Sequence, residues 1–344
     1  MTSESPANRR TPFLRLHYLR RVLHAYVIRK NTGNLSFWHT PLKANALDEE
    51  DLRTVRRYPM NFAAKTAYNA YRDRDGVIML NYYGRLGLQY NPNAIAQQAL
   101  GYYDLHLEHP DNPEHVRSFL AQSRWFLKHG RHVSDGVLLW EYRFPWEGRR
   151  FLTAPWRSAL AQGQAISVLL RAHRLSGDNA YLEAARRGYN AFRYTGLAHE
   201  GGVVSRQNGC AWLEEVIYDP PNHILNGFVW ALWGVRDYAV FTNDPHARQL
   251  YQDCLRTLEA NLCRYDLGFW TCYDLIDGWP KREPVMPASI YYQELHATQM
   301  LACFRLTGKK VFRDFYRRWT RYLRSPWRRA VSQLWKSYFK LRYF

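Results

Sequence analysis

Three short stretches of the sequence combine carboxylates with tyrosines, the residue types that can move a proton. They are WLEEVIY at 212–218, CYDLIDGW at 272–279 and SIYYQELH at 289–296. A tyrosine, with an ordinary pKa of about 10, keeps its proton at neutral pH and can donate it, whereas a glutamate can accept one. A pair such as Glu215 and Tyr292 could therefore act as base and acid on opposite sides of one substrate, with Tyr273 beside them.

The same residues also have a purely structural interpretation. Two glutamates before a helix stabilise its N-terminus through the helix dipole, and a tyrosine at a helix start is often a half-buried packing residue. The sequence has no G-x-G-x-x-G, P-loop, H-E-x-x-H or G-x-S-x-G motif, and its five cysteines form no C-x-x-C pair. We therefore expect no organic cofactor, no metal site and no disulfide framework.

The elements that must position these stretches are predicted to be helical hairpins. Residues 159–170 are small or apolar on nearly every side, which predicts a buried inner helix. Residues 181–192 have a single apolar face, which predicts an amphipathic outer helix. The same inner–outer pair recurs at 93–105 with 112–127, at 224–240 with 244–258, and at 294–306 with 309–323. Asp178 or Asn179 is the predicted N-cap of the first outer helix named here, and Asp244, followed by proline, is that of 244–258.

This recurrence, roughly every 65–70 residues, predicts a fold class that is all-α dominated. We expect an (α/α) barrel or toroid of about four helical hairpins. Short β-hairpins are expected at its rim, from the Trp- and Tyr-rich segments 137–144, 201–206 and 267–275.

Polar side chains stand at aligned positions near the starts of the predicted inner helices. They are Gln97, Gln162 with Gln164, Asn226 and His296. They could point into one mouth of the barrel and line a cleft. Alternatively, they could cap or bridge neighbouring helix ends, and the sequence leaves both interpretations open.

The charge of the chain bears on its partners. Lys and Arg total 48 against 30 Asp and Glu, a net charge of +18, which attracts polyanions such as nucleic acid, anionic lipid or acidic polysaccharide. The planar fork of arginine binds carboxylates and phosphates. Because no nucleic-acid-binding motif is present, a nucleic-acid partner would rest on charge alone, and we expect none.

The ends of the chain differ from its middle. Residues 1–60 are predicted to be a basic, peripheral extension, 61–325 the barrel domain, and 326–344 a basic aromatic tail. Such a tail can lie on an anionic membrane surface or cap the last hairpin. Arginines interrupt the N-terminal apolar stretch, and no apolar run reaches about 18 residues, so we expect neither a signal peptide nor a membrane span. We predict a cytoplasmic location, with peripheral contact at the inner membrane face and homodimerisation left open.

Four separated blocks of the sequence resemble one family. They are YNPNAIAQQAL (90–100), the long block 155–185 beginning PWRSALAQGQAIS, WLEEV…ILNGF (212–228) and YDL…YYQELHATQ (273–299). Together they resemble the C-terminal helical domain of D-glucuronyl C5-epimerases, over roughly residues 85–325. The resemblance implies an α/α-barrel, a groove for an anionic uronate-containing glycan of the heparosan or heparan sulfate type, and acid–base chemistry at sugar carbon-5.

The resemblance also assigns residues by position. Glu215, Tyr273 and Tyr292 match catalytic residues, and Asn226 matches a substrate-contacting asparagine. The sequence departs from the family at Val216, where the family has tyrosine, and lacks the family's arginine shortly before the second tyrosine. With these matches, the predicted substrate-binding residues are Gln97, Gln162, Gln164, Glu214, Tyr218, Asn226, Trp230, Arg282 and His296.

The expected activity is therefore inversion at carbon-5 of uronic acid residues in a glycan. Two alternatives share the predicted barrel. A polysaccharide lyase would begin with loss of the same proton and then expel the carbon-4 substituent. A non-catalytic protein would bind the acidic glycan without turning it over, in keeping with Val216.

Overall fold

The structure, a computed structural model, describes residues 34–82, 84–281 and 283–343. Its α-helices are α1 Asn34–Trp38, α2 Glu49–Arg53, α3 Pro92–Glu108, α4 Pro113–His129, α5 Ala159–Ser176, α6 Asn179–Tyr189, α7 Leu225–Thr242, α8 Pro245–Asn261, α9 Ile290–Thr307, α10 Lys310–Arg324 and α11 Pro326–Tyr343. The eight helices from α3 to α10 are the four predicted inner–outer pairs, so the predicted hairpins are confirmed.

Local signals in the sequence set the helix ends. Asp178, one of the two predicted caps of α6, and Asp244, the predicted cap of α8, accept hydrogen bonds from backbone amides of the first turns, and Pro245 opens α8. Ser158 and Ser289 cap α5 and α9 in the same way. Most predicted boundaries lie within about four residues of the observed ones, but α5 continues to Ser176, beyond the predicted 159–170.

The inner helices form one continuous layer. Helix α3 contacts α5, α5 contacts α7 and α7 contacts α9, while each outer helix packs on its own inner partner. Gly163 of α5 and Gly234 of α7 meet where these helices cross, and a Cβ on Gly234 would lie 2.2 Å from the Gly163 carbonyl oxygen. The small residues of α5 thus allow two backbones to touch. The all-α-dominated fold class is confirmed, and closure of the layer into a ring stays a prediction.

The described residues contain short antiparallel hairpins between the helices. The strands are β1 Lys43–Ala44 with β2 Met60–Asn61, β3 Leu80–Asn81 with β4 Leu88–Gln89, β5 Arg131–His132 with β6 Leu138–Leu139, β7 Trp146–Glu147 with β8 Phe151–Leu152, and β9 Val204–Gln207 with β10 Cys210–Leu213. Segment 267–275, predicted as a strand, instead makes single bridges such as Ile224 with Asp274. Because its residues bridge to several different segments, they form no continuous strand pairing.

Residues 34–62 close one end of the inner layer. Phe37, Val55, Tyr58 and Met60 are buried in the main hydrophobic core, and Tyr58 packs edge-on against Trp233 of α7. The basic composition of residues 1–60, with few acids before Asp48, predicts a peripheral extension. The described part of that segment instead packs against the C-terminal ends of the inner helices.

Helix α11 packs against α9 and α10 at the opposite end of the layer. Its inward face carries Ser332, Lys336 and Phe339, all at most 6% exposed. Its outward face leaves Trp327, Leu334 and Tyr338 more than 60% exposed. Across the described part of the chain, none of the helices is both long enough and apolar enough to cross a bilayer.

Candidate active site

Glu215 follows the β9–β10 hairpin and lies beside the N-terminus of α7. Its neighbour Glu214 is fully buried, where Oε1 accepts hydrogen bonds from Ser205 Oγ at 2.5 Å and pairs with His223 Nδ1 at 2.8 Å. The backbone carbonyl of Glu214 also accepts a hydrogen bond from Ala159 N at the start of α5. The first glutamate therefore anchors the strand end, and the second is left for the site.

The Glu215 carboxylate is half-buried and lies against the first turn of α7. Asn226 Nδ2 donates a hydrogen bond to Glu215 Oε2 at 3.1 Å. A Cβ on Gly227 would lie 2.1 Å from the same oxygen, so only glycine leaves room for the carboxylate here. Burial, reinforced by the charge of Asp274 and opposed by the Asn226 hydrogen bond, raises the pKa of Glu215 to about 8. This carboxyl can exchange a proton near neutral pH.

Tyr273 and Tyr292 form a hydrogen-bonded pair next to this carboxylate. Their rings are 4.8 Å apart at an interplanar angle of 74°, and their hydroxyls interact. Burial first, then the charge of Glu215, raises the pKa of Tyr273 well above its ordinary value, so its hydroxyl keeps its proton. Backbone hydrogen bonds from Tyr273 N to Met286 O and from Leu225 N to Tyr273 O fix the loop.

A buried ion pair lies behind Tyr273. Arg149, in the turn between β7 and β8, donates from Nε and Nη2 to both oxygens of Asp274 at 2.6 and 2.7 Å. Both side chains are at most 2% exposed. Asn222 Nδ2 also donates to Asp274 Oδ2 at 3.0 Å. Because the guanidinium is engaged in a two-point pair, it fixes the loop that carries Tyr273.

Tyr142 is a further tyrosine near Glu215. It is 5% exposed and stacks on Trp156 with ring centroids 3.8 Å apart. Burial and the nearby Glu215 charge raise its pKa well above the ordinary range. Its hydroxyl therefore keeps its proton.

Lys336 of α11 and His296 of α9 complete the surroundings of the tyrosine pair. Lys336 Nζ lies 5.6 Å from the centre of the Tyr273 ring and 5.9 Å from that of Phe339. His296 is fully buried beside Tyr292, with Nδ1 3.0 Å from Thr271 Oγ1. Burial, with a contribution from Lys336, lowers the pKa of His296 to about 3, so its ring is neutral.

The three predicted glutamines are not brought to this cluster. Gln97 Nε2 donates to Gln164 Oε1 at 3.3 Å, and Gln164 Nε2 reaches Tyr58 OH, so both link helices inside the core. Gln162 Nε2 donates to the carbonyls of Leu138 and Gly188 on the outer side of α5. All three are at most 1% exposed. Their amides satisfy buried backbone and side-chain groups, the bridging role that the sequence had left open.

The remaining predicted residues are placed as follows. Tyr218 is buried, donates from OH to Arg150 O at 3.0 Å, and belongs to a small apolar cluster that includes Val216 and packs on Tyr273. Trp230 is 5% exposed and packs on Phe62, one turn beyond Asn226. Arg282 lies outside the described residues.

The structure thus brings together Glu215, Asn226, Tyr273, Tyr292 and His296 from the predicted set. It adds Tyr142, Arg149 and Lys336, which sequence reasoning missed. Only Tyr142 had a sequence signal, since it lies in an aromatic segment predicted at the rim. Among the described residues, no group of three or more His, Cys, Asp or Glu is arranged to hold a metal ion. The cluster offers a carboxyl and several phenols for moving protons.

The sequence of the chain is similar to that of known proteins. Residues 134–321, more than half of the chain, match the family described as D-glucuronyl C5-epimerase C-terminus. An uncharacterized protein of Methanocaldococcus jannaschii is 24% identical over 261 residues, covering 70% of this chain and 81% of that protein. The D-glucuronyl C5-epimerase of Caenorhabditis elegans is 32% identical over 174 residues, which cover 47% of this chain and 28% of that protein. The chain therefore belongs to the D-glucuronyl C5-epimerase C-terminal domain family, and this membership classes it as an isomerase of the epimerase type.

Proposed function

We propose that the chain inverts carbon-5 of uronic acid residues within an anionic glycan, between the D-glucuronate and L-iduronate configurations. One observation carries the proposal. A carboxyl whose pKa is about 8 lies beside a hydrogen-bonded tyrosine pair, and the three residues are those that the family resemblance assigns to catalysis. The substrate class rests on the family, whose described enzyme acts on glucuronyl residues.

The reaction needs two proton transfers at one carbon. The ionised Glu215 takes the carbon-5 proton, and the electrons of the broken C–H bond move into the adjacent carboxylate to form an enolate-like intermediate. Tyr292 then returns a proton to the other face of carbon-5, and the double bond of the intermediate collapses back to the carboxylate. In the reverse direction the two groups exchange roles, so either configuration can be the starting one.

The surrounding groups prepare this exchange. Because the hydroxyl of Tyr273 stays protonated, it can donate a hydrogen bond to the charge that develops on the substrate carboxylate. Asn226 holds the Glu215 carboxylate in one orientation through its 3.1 Å hydrogen bond. The Arg149–Asp274 pair keeps the Tyr273 loop rigid, so the phenol is positioned before substrate arrives.

The test is isotope exchange. We would incubate the full chain with heparosan and other uronate polymers in heavy water and follow deuterium at carbon-5 by NMR. We expect incorporation with unchanged chain length. Glu215→Gln and Tyr292→Phe should each lower the exchange rate by about 10³-fold, since each removes a proton-transfer group.

Matched controls are available on the outer helices. Glu183→Gln on α6 and Tyr251→Phe on α8 make the same chemical changes away from the cluster, and both should exchange at the wild-type rate. Exchange with shortened chains and absorbance from an unsaturated uronate would instead establish a lyase. Binding of uronate polymers without any exchange would establish a glycan-binding protein and refute the epimerase proposal.

A further inference from the structure

Lys336 and Lys65 are the described lysines that are buried without a carboxylate partner, but Lys65 Nζ donates to Phe37 O at 2.8 Å and Lys336 makes no such bond. Lys336 is 6% exposed, and within the described parts of the chain it forms no ion pair with a carboxylate. Its amino group instead lies over the rings of Tyr273 and Phe339. Placing an ammonium group away from water without a counter-ion is costly, so proteins rarely do so outside functional sites.

Two other described cations near Lys336, Arg149 and Arg150, already have partners. Arg149 is held by both oxygens of Asp274. Arg150 donates to the Asp219 carbonyl and lies 4.2 Å from the Trp279 ring centre. Of these three described cations, Lys336 is the one without a hydrogen bond or an ion pair, so it can take a new anion.

Lys336 lies on the inward face of helix α11. Ser332, Lys336 and Phe339 are spaced as one helical face, and all three are buried. Trp335 stacks on Phe269 with ring centroids 6.0 Å apart, which ties the helix to the loop before Tyr273. The family match ends at residue 321, so α11 lies beyond the segment that the family describes.

We propose that Lys336 is the binding site for the carboxylate of the uronic acid residue being epimerised. The amino group beside Tyr273 pairs with the carboxylate in the ground state and with its greater negative charge once carbon-5 has lost its proton. Tyr273 donates to the same group from the neighbouring position. This assignment rests on the proposed function and adds α11 to the site.

The charge state of Lys336 makes the assignment testable. Burial lowers its pKa well below the ordinary value, Lys340 and Arg149 lower it further, and Asp274 raises it. Tyr273 and the neutral His296 face it from the loop and from α9. A bound carboxylate favours the ammonium form, so binding takes up a proton, and affinity falls as the pH rises above the pKa of the free site.

The experiment measures binding rather than turnover. We would titrate the full chain with heparosan and with carboxyl-reduced heparosan by calorimetry between pH 6 and 9. We expect the wild-type protein to prefer heparosan, with an affinity that declines with pH. Lys336→Met should weaken heparosan binding at least about tenfold and abolish the preference. Lys336→Arg should keep the preference but lose the pH dependence, because arginine remains charged.

Stability separates this role from a structural one. Lys336→Met replaces a buried amine by an apolar side chain of similar length, so we expect its unfolding temperature to stay equal or rise while heparosan binding falls. Lys340→Met makes the same exchange one turn away and should keep the preference for heparosan.

The results distinguish failure of the Lys336 assignment from failure of the proposed function. If wild-type protein prefers heparosan and Lys336→Met keeps that preference, the Lys336 assignment is refuted and the proposed function is untouched. If wild-type protein does not distinguish heparosan from its reduced form, the Lys336 assignment is refuted, and the exchange experiment decides the proposed function separately.

Discussion

The two ends of the inner helices use buried charge differently. At their C-terminal ends, Asp237 of α7 receives Arg171 at Oδ2 and Arg236 at Oδ1, inside a core closed by residues 34–62. At their N-terminal ends, Glu215 and Lys336 have no ion-pair partner within the described residues, and the buried atoms Asn226 Oδ1 and His296 Nε2 have no hydrogen-bond partner there. At the matched C-terminal end Asp237 has two cations and stabilises the fold, whereas the N-terminal end contains the paired Arg149 and Asp274 but leaves Glu215 and Lys336 available for a substrate.

The matched end should give the largest effect on stability. Arg171→Met leaves the fully buried Asp237 with a single cation, and breaking such a pair costs about 3–5 kcal/mol of unfolding free energy. Chemical denaturation would measure this loss, and the exchange rate per folded molecule should not change. Arg187→Met breaks the exposed pair with Glu183 and should cost about 1 kcal/mol or less. Equal losses for the two variants would contradict the contrast.

Two glycines of α7 test the same contrast within one helix. Gly227→Ala at the site end would push a methyl group against the Glu215 carboxylate, so we expect exchange to fall about 100-fold with stability nearly unchanged. Gly234→Ala would push against the backbone of Gly163, so we expect a loss of about 1–3 kcal/mol and little change in exchange per folded molecule. The reverse pattern would remove the distinction between the two ends.

The ionisation of Glu215 predicts a pH profile. Burial raises its pKa to about 8, so the basic form is a minority at pH 7 and the exchange rate should rise with pH until about 8. Asn226→Ala removes a hydrogen bond that favours the carboxylate. The pKa should then rise, moving the profile to higher pH by about half a unit. A shift to lower pH would show that Glu215 does not set the profile.

The smallest expected effect concerns the outward face of α11. Trp327, Leu334 and Tyr338 are exposed there on a basic helix, a composition suited to an anionic bilayer surface. Trp327→Glu with Leu334→Glu should weaken flotation with phosphatidylglycerol vesicles a few-fold and leave exchange unchanged, since the inward face is intact. Deleting the tail would be a poorer test because it also removes Lys336. Unchanged flotation would refute membrane contact through this face.

Hydrophobic periodicity predicted the helices well because each helix has its own pattern of buried and exposed residues. The all-round apolar segment at 159–170 and the one-sided segment at 181–192 became α5 and α6. The local sequence does not determine the direction in which a buried polar side chain points. Gln162 and Asn226 occupy aligned positions, yet one bonds to backbone carbonyls on the outer side and the other to Glu215.

The site could be predicted only where its residues share short stretches. Glu215, Tyr273 and Tyr292 lie at hairpin boundaries rich in acids and tyrosines, which drew attention to them. Arg149 and Lys336 come from a turn and from the tail, and only tertiary packing brings them to Tyr273. No local pattern distinguishes either residue from the many other basic residues of the chain.

The position of α11 in the chain has a consequence for biosynthesis. Every helical hairpin precedes Lys336 in the sequence, so a ribosome finishes the whole scaffold and its acid–tyrosine cluster before it makes the residue assigned to the substrate carboxylate. A nascent chain, or one cleaved after Ser325, would hold folded hairpins and proton-transfer groups but would lack the lysine that we propose binds the uronate carboxylate. If Lys336 binds the substrate carboxylate as proposed, full activity requires that α11 is in place.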